Sequence, residues 1–104
     1  MRFPLRAVVV AGTSMQPTLQ PGDFCLVRCT ARLRPGDVVV VRRPDRRDLL
    51  VVKRVRSRGE TGWWVAGDNP AASDDSAVFG EVPDGCVIGR VVWRYWPLVR
   101  RRSA

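Results

Sequence analysis

Short runs of β-branched residues, each introduced by turn residues, set the rhythm of this chain. The run up to Val10 reads as a first strand, and further strands are predicted at Phe24 to Cys29, Val38 to Arg42, Leu49 to Ser57, Gly62 to Ala66 and Cys86 to Trp93. Arg43 to Asp48 and Arg58 to Thr61 are the predicted connecting turns, and Asn69 to Val82, with little alternation, a structured loop. Helix is scarce, with one turn expected around Ser14 to Leu19. An internal echo supports the scheme: Leu19-Gln20-Pro21-Gly22-Asp23 is matched by Leu33-Arg34-Pro35-Gly36-Asp37, and an apolar run follows each at once. Proline then glycine suits the two central positions of a type II turn, because proline fixes φ and glycine supplies φ > 0. The expected fold class is therefore mostly β, a compact β-barrel or folded sheet.

The chain has 104 residues, the size of one domain, and no boundary interrupts it. Residues 1–6 and 100–104 are expected to be frayed ends. Hydrophobic residues make up 45% of the sequence, which is enough for one modest core. No run approaches the roughly 20 apolar residues of a spanning helix, and the start is too short for a signal peptide, so a cytoplasmic location is expected.

The missing residue types narrow the chemistry. There is no histidine, which removes Ser-His-Asp and Cys-His catalysis and the histidine-containing zinc sites. The three cysteines, Cys25, Cys29 and Cys86, form no C-x-x-C pair and read as small apolar residues of a reduced protein. The net charge of +8 comes from 17 arginines and a single lysine against ten acids. The arginines are scattered, and no recognition helix or RNA-binding aromatic motif accompanies them, so no nucleic-acid partner is expected. Contact with an anionic membrane surface or an acidic substrate stays open.

The single lysine changes the picture. A lysine that survives among arginines suits a task arginine cannot perform, namely losing its proton. Alternation places Lys53 on one strand face with Leu49, Val51 and Val55, and Arg54 and Arg56 on the other. Among apolar neighbours an ammonium falls well below its usual value of about 10.4, which makes a general base near neutral pH. A lysine snorkelling from a strand edge is the alternative. Two further segments bear hydroxyls and carboxyls: Gly12-Thr13-Ser14-Met15-Gln16-Pro17-Thr18-Leu19, where a turn can expose Ser14, and Gly67-Asp68-Asn69-Pro70-Ala71-Ala72-Ser73-Asp74-Asp75-Ser76.

Taken together, in this order and spacing, these segments resemble the signal peptidase I-like serine peptidases (S26 type). That family's nucleophile lies in S-M-x-P-T-L, its lysine in K-R-V, and its third segment is G-D-N-x-x-x-S-x-D-S. The likeness runs from about Gly12 to Val92. It implies a β-rich catalytic core without a cofactor, Ser14 as nucleophile, Lys53 as general base and Ser73 orienting the lysine amine. Asp68 and Asp75 would support the loop, and the oxyanion would rest on backbone N–H groups near Gly12 and Ser14. Two positions depart from the pattern. Ala77 stands where the family carries an arginine able to pair with the aspartate, so either another arginine supports Asp75 or the loop is held less tightly. Gly12 stands where some relatives carry an oxyanion-binding serine.

The implied reaction is acyl transfer: Lys53 takes the Ser14 proton, the serine attacks a peptide bond, and water hydrolyses the acyl-enzyme. Only 13 residues separate Lys53 from Gly67, and Gly62-Trp63-Trp64-Val65 and Arg94-Tyr95-Trp96-Pro97 flank the loop. These features resemble the maturation proteases of nickel-type superoxide dismutase, so the expected partner is a protein precursor whose leader is trimmed. Processing of secretory precursors at a membrane surface, with Trp93, Trp96 and the terminal arginines on headgroups, is the alternative. A self-cleaving repressor needs a cleavable segment well upstream of the serine. A non-catalytic module that keeps the fold leaves Ser14, Lys53 and Ser73 without a use.

Overall fold

The computed structural model describes residues 5–30, 32–72 and 75–96. Six strands form one antiparallel sheet: β1 (Leu5–Val9), β2 (Phe24–Arg28), β3 (Val38–Arg43), β4 (Arg46–Arg58), β5 (Trp63–Ala66) and β6 (Val87–Trp96), in the order β1-β2-β6-β3-β4-β5. The mostly β expectation is met. The last strand in sequence inserts between β2 and β3 and so joins the N-terminal hairpin to the rest.

The run Val38–Val41 lies at the centre, between β4 and β6, and is apolar throughout because both of its faces are covered. Val39 and Val41 join Leu33, Val55, Val65, Phe79 and Cys86 in one core cluster. Val38 and Val52 point the other way, against a second cluster of Val10, Met15, Leu19 and Cys25. Each face is thus closed by a loop segment, residues 79–86 on one side and 10–19 on the other. Cys25 and Cys86 are buried and Cys29 half-buried, and none of the three is in a disulfide. Where β6 passes β2 the backbones come so close that a Cβ on Gly89 would lie 2.3 Å from the Arg28 carbonyl oxygen.

The two Pro-Gly-Asp turns are built alike. Gly22 and Gly36 have φ of 91° and 96°. The Asp23 N–H donates to Gln20 O, and the Asp37 N–H to Arg34 O, each at 3.0 Å. Each aspartate then turns its carboxylate back onto the N–H of the first turn residue, Gln20 or Arg34. Each turn also brackets a buried valine of the adjoining strand. Gly22 and Asp23 exchange backbone bonds with Val10, and Gly36 and Asp37 with Val55, all at 2.8 Å. The echo in sequence is therefore an echo in hydrogen bonding.

Several boundaries differ from expectation. β4 begins at Arg46, because the connection from β3 is a two-residue turn, Pro44-Asp45, and not the segment Arg43 to Asp48. Arg46 to Asp48 are exposed on both faces, so no alternation marks them as strand. Leu49, read on the buried face of β4, is 37% exposed because β4 outruns the core there. Asn69 to Val82 contains a 3₁₀ turn at Pro70–Ala72 and a one-turn helix, α1 (Ser76–Phe79), too short to show a helical period. β6 runs on to Trp96. The helical turn expected at Ser14 to Leu19 is instead a non-helical turn with a cis Gln16–Pro17 bond, closed by Leu19 N–H on Met15 O at 2.9 Å. The frayed tail expected at Arg100 to Ala104 lies outside the described residues, and of residues 1–6 only Leu5 and Arg6, which open β1, are described.

Nothing lies within 4 Å of a Cβ added at Gly22 or Gly36, so alanine there meets backbone strain alone. Gly22→Ala and Gly36→Ala should each lower unfolding free energy by about 1–2 kcal/mol. Because the two turns bracket different valines, the double variant should lose the sum, as read by urea unfolding.

Candidate active site

Lys53 is 3% exposed, and its Cα pairs with that of Val39, itself fully buried. It shares its face of β4 with Val51 and Val55, as alternation predicts. β4 lies between β3 and β5 and Lys53 is buried, so it does not snorkel from a strand edge.

The serine segment is held from below and from the side. Met15 (1% exposed) and Leu19 (5%) insert into the second core cluster and anchor the turn, while Ser14 between them and the surface is half-buried. Gly12 has φ of 80°, a left-handed conformation that disfavours a serine at that position. Laterally, the Asn69 N–H donates to Ser14 O at 2.8 Å and the Asn69 side-chain amide to Thr13 O at 3.0 Å. The loop after β5 therefore holds the backbone of the serine turn directly.

The same loop grips the lysine strand. Arg54 pairs with Ala66 in the β4–β5 register, so the chain leaves β5 through the buried Gly67 alongside Lys53. Arg54, which alternation places with Arg56 on the face opposite Lys53, is half-buried there. Its Nε and Nη2 bond the two carboxylate oxygens of Asp68 at 2.9 and 2.8 Å, and its Nη1 bonds the Gly36 carbonyl oxygen at 2.7 Å. The Thr18 hydroxyl, from the serine segment, donates to the same carboxylate. The Arg54 guanidinium holds the Asp68 carboxyl below the usual carboxylate range, partial burial opposes it, and the Thr18 hydrogen bond adds to the lowering. Asp68 in turn raises the Arg54 guanidinium.

Asp68 was expected to support the loop, and it does more by joining all three sequence segments. Arg54, Thr18 and Asn69 carry the junction yet were not singled out from sequence. The available signal was a buried-loop aspartate in need of a cation and an arginine next to the lysine. Asp75 resolves the question posed by Ala77 in a third way. Its carboxylate caps α1 by accepting the Ala77 backbone N–H at 2.9 Å, so residue 77 serves through its main chain. Ser76, 4% exposed, accepts the Val65 N–H at 2.9 Å and ties α1 to β5. Ser73 lies outside the described residues. Among the described residues no group of three or more potential metal ligands occurs, and no helix is long and apolar enough to cross a membrane.

Comparison with known proteins gives the family of the chain. Residues 3–92 match the family described as Peptidase S24-like. The chain is 34% identical to mitochondrial inner membrane protease subunit 1 of Schizosaccharomyces pombe, over 86% of this chain and 72% of the relative. It is 30% identical to the mouse subunit 1, over 86% of this chain and 69% of the relative. It is also 33% identical to mitochondrial ATP-independent inner membrane protease subunit 1b of Arabidopsis thaliana, over 83% and 67%. The chain belongs to the S24-like peptidase family.

Asp68→Asn keeps the shape but gives up the ion pair and should cost about 2 kcal/mol, between the values of exposed and buried pairs. Because the carboxyl is lowered in the fold from its ordinary 3.8, its contribution is complete above that value and lost as pH falls through the lower folded one. Urea unfolding at pH 7 should separate the two proteins. The gap should begin to narrow below about pH 4 and close only once the pH is below the lowered folded value.

Proposed function

We propose that the protein is a serine endopeptidase that removes an N-terminal leader from a protein precursor, with Ser14 as nucleophile and Lys53 as general base. The observation that carries this reading is the burial of the only lysine, on a strand cross-linked through Arg54 and Asp68 to the loop that holds the Ser14 turn. A buried amine loses its proton more readily than an exposed one, because desolvation penalises the ammonium. In the neutral form its nitrogen can accept the Ser14 proton and then return it to the leaving amine. Ser73 orients that amine. The developing oxyanion is received by backbone N–H groups of the turn, that of Ser14 included. The protease activity is supported by the family membership and by the likeness to mitochondrial inner membrane protease subunits, and the leader-processing role is the one that the motif resemblance implies.

The precursor we propose is that of nickel-type superoxide dismutase, cleaved in the cytoplasm. The support is the short Lys53-to-Gly67 spacing and the tryptophan-bearing segments around the loop. One observation favours a second reading, processing of secretory precursors at a membrane surface. Trp93 and Val92 are 59% and 45% exposed and line a groove of about 330 Å³ that also includes Thr18 and Leu19 of the serine segment. Aromatic side chains of this kind rest at headgroup depth.

Ser14→Ala and Lys53→Met should each retain the fold by circular dichroism and lower kcat by at least about 10²–10⁴-fold. Lys53→Arg should be as inactive, since guanidinium does not release its proton. Turnover by the arginine variant rejects the general-base role. Mass spectrometry of the new N-terminus, with the superoxide dismutase precursor and a vesicle-bound secretory precursor offered in parallel, distinguishes the two substrates.

A further inference from the structure

A cavity of about 420 Å³ opens where the β2–β3 connection crosses the sheet, lined by Arg28, Thr30, Arg32, Leu33, Arg34 and Arg90. Four of the six are arginines, and among the described residues no carboxylate lines the cavity. The described ion pairs engage other arginines, namely Arg43, Arg54 and Arg58. Two of the four stand in a costly position. Arg28 and Arg90 are direct cross-strand partners of β2 and β6, so their side chains leave the sheet on the same side. Like charges placed opposite one another destabilise a strand pair. The close backbone approach at Gly89 fixes that register, so the two cannot slide apart. Arg32 and Arg34 then add two more positive charges from the loop.

We propose that this cavity binds a phosphate group, with the four guanidiniums as its ligands. The residue type fits, because guanidinium offers paired N–H donors matched to oxyanions and keeps its charge at any physiological pH. A tetrahedral phosphate presents acceptors in several directions, which suits donors arriving from β2, from the loop and from β6. A carboxylate, with two coplanar oxygens, satisfies one or two of them. Thr30 adds a neutral donor: its Oγ accepts the Arg32 N–H at 3.0 Å, which leaves the hydroxyl hydrogen free to reach the anion. The bound anion removes the repulsion between Arg28 and Arg90, so occupancy and stability rise together. The site is built on β2, β6 and their loop and uses none of the residues assigned to catalysis, so it stands whether or not that assignment does.

The phosphate can belong to a soluble ester or to a lipid headgroup, and one set of measurements tests the site and separates these sources. Pyrophosphate is titrated into the full chain at constant ionic strength, followed by thermal unfolding and by calorimetry. A saturable rise in melting temperature is expected, as for any ligand that binds only the folded state. Arg28→Gln/Arg90→Gln should bind at least about tenfold more weakly, having lost two charge-assisted contacts. Without anion at low salt, that variant should be no less stable than the parent, since a repulsion has gone. Arg46→Gln/Arg47→Gln, exposed on β4, should bind as the parent does. Arg32→Gln, on the loop, provides the same test should the sheet variant fail to fold. An unsaturable response, or an equal loss in the Arg46/Arg47 variant, overturns the proposal in favour of diffuse attraction to the basic surface. For the source, vesicles of phosphatidylglycerol and of phosphatidylcholine are compared. Flotation with the former that needs Arg28 and Arg90 and is displaced by pyrophosphate supports the site with a lipid phosphate as its ligand. Saturable pyrophosphate binding without such flotation supports it with a soluble ester.

Discussion

The Asp68 carboxylate holds together three stretches of chain that are far apart in sequence. It receives two N–H bonds from Arg54 and a hydroxyl bond from Thr18, and its neighbour Asn69 bonds the backbone of Thr13 and Ser14. Arg54 follows Lys53, and Thr18 lies four residues beyond Ser14. A single charge-assisted junction therefore links the serine turn to the lysine strand, without using the side chain of Ser14 or Lys53.

This junction works because the sheet beneath it is stiff. The Val38–Val41 run is packed on both faces, one sealed by Met15 and Leu19 of the segment that carries Ser14 and the other by Phe79 and Val82. Apolar anchoring and polar cross-linking alternate along the serine segment, with Ser14 and Thr18 each preceding a buried residue. The matching Pro-Gly-Asp turns add order at both ends. One fixes Val10 at the entrance to the serine segment and the other fixes Val55, two residues beyond Lys53. Arg54 also bonds the Gly36 carbonyl, so the second turn and the Asp68 junction share an anchor.

Charge is used in two ways on this surface. Arg43, Arg54 and Arg58 each meet a carboxylate, and Arg43 and Arg58 also lie over the rings of Phe79 and Trp63. In these places arginine combines an ion pair with a flat apolar face, which lysine does not offer. The arginines around the β2–β3 connection have no such compensation within the cavity they line. The contrast separates structural arginines from those available to an outside anion.

The sequence alone determined the strands with clear alternation, the two type II turns and the position of Lys53 on an apolar face. Each of these depends on local rules, namely the period of two in a strand and the φ preferences of proline and glycine. The motif order also allowed the family to be read before any contact was known. Tertiary structure alone decided the partners. Alternation gives Arg54 its face but not what loop covers that face. Asp75 looked short of an arginine because a one-turn helix leaves no period by which its cap could be recognised. The cationic cavity was hidden for the same reason: Arg28 and Arg90 are 62 positions apart, and only the insertion of β6 between β2 and β3 sets them side by side. Local propensity is written along the chain, whereas burial and pairing belong to the sheet order.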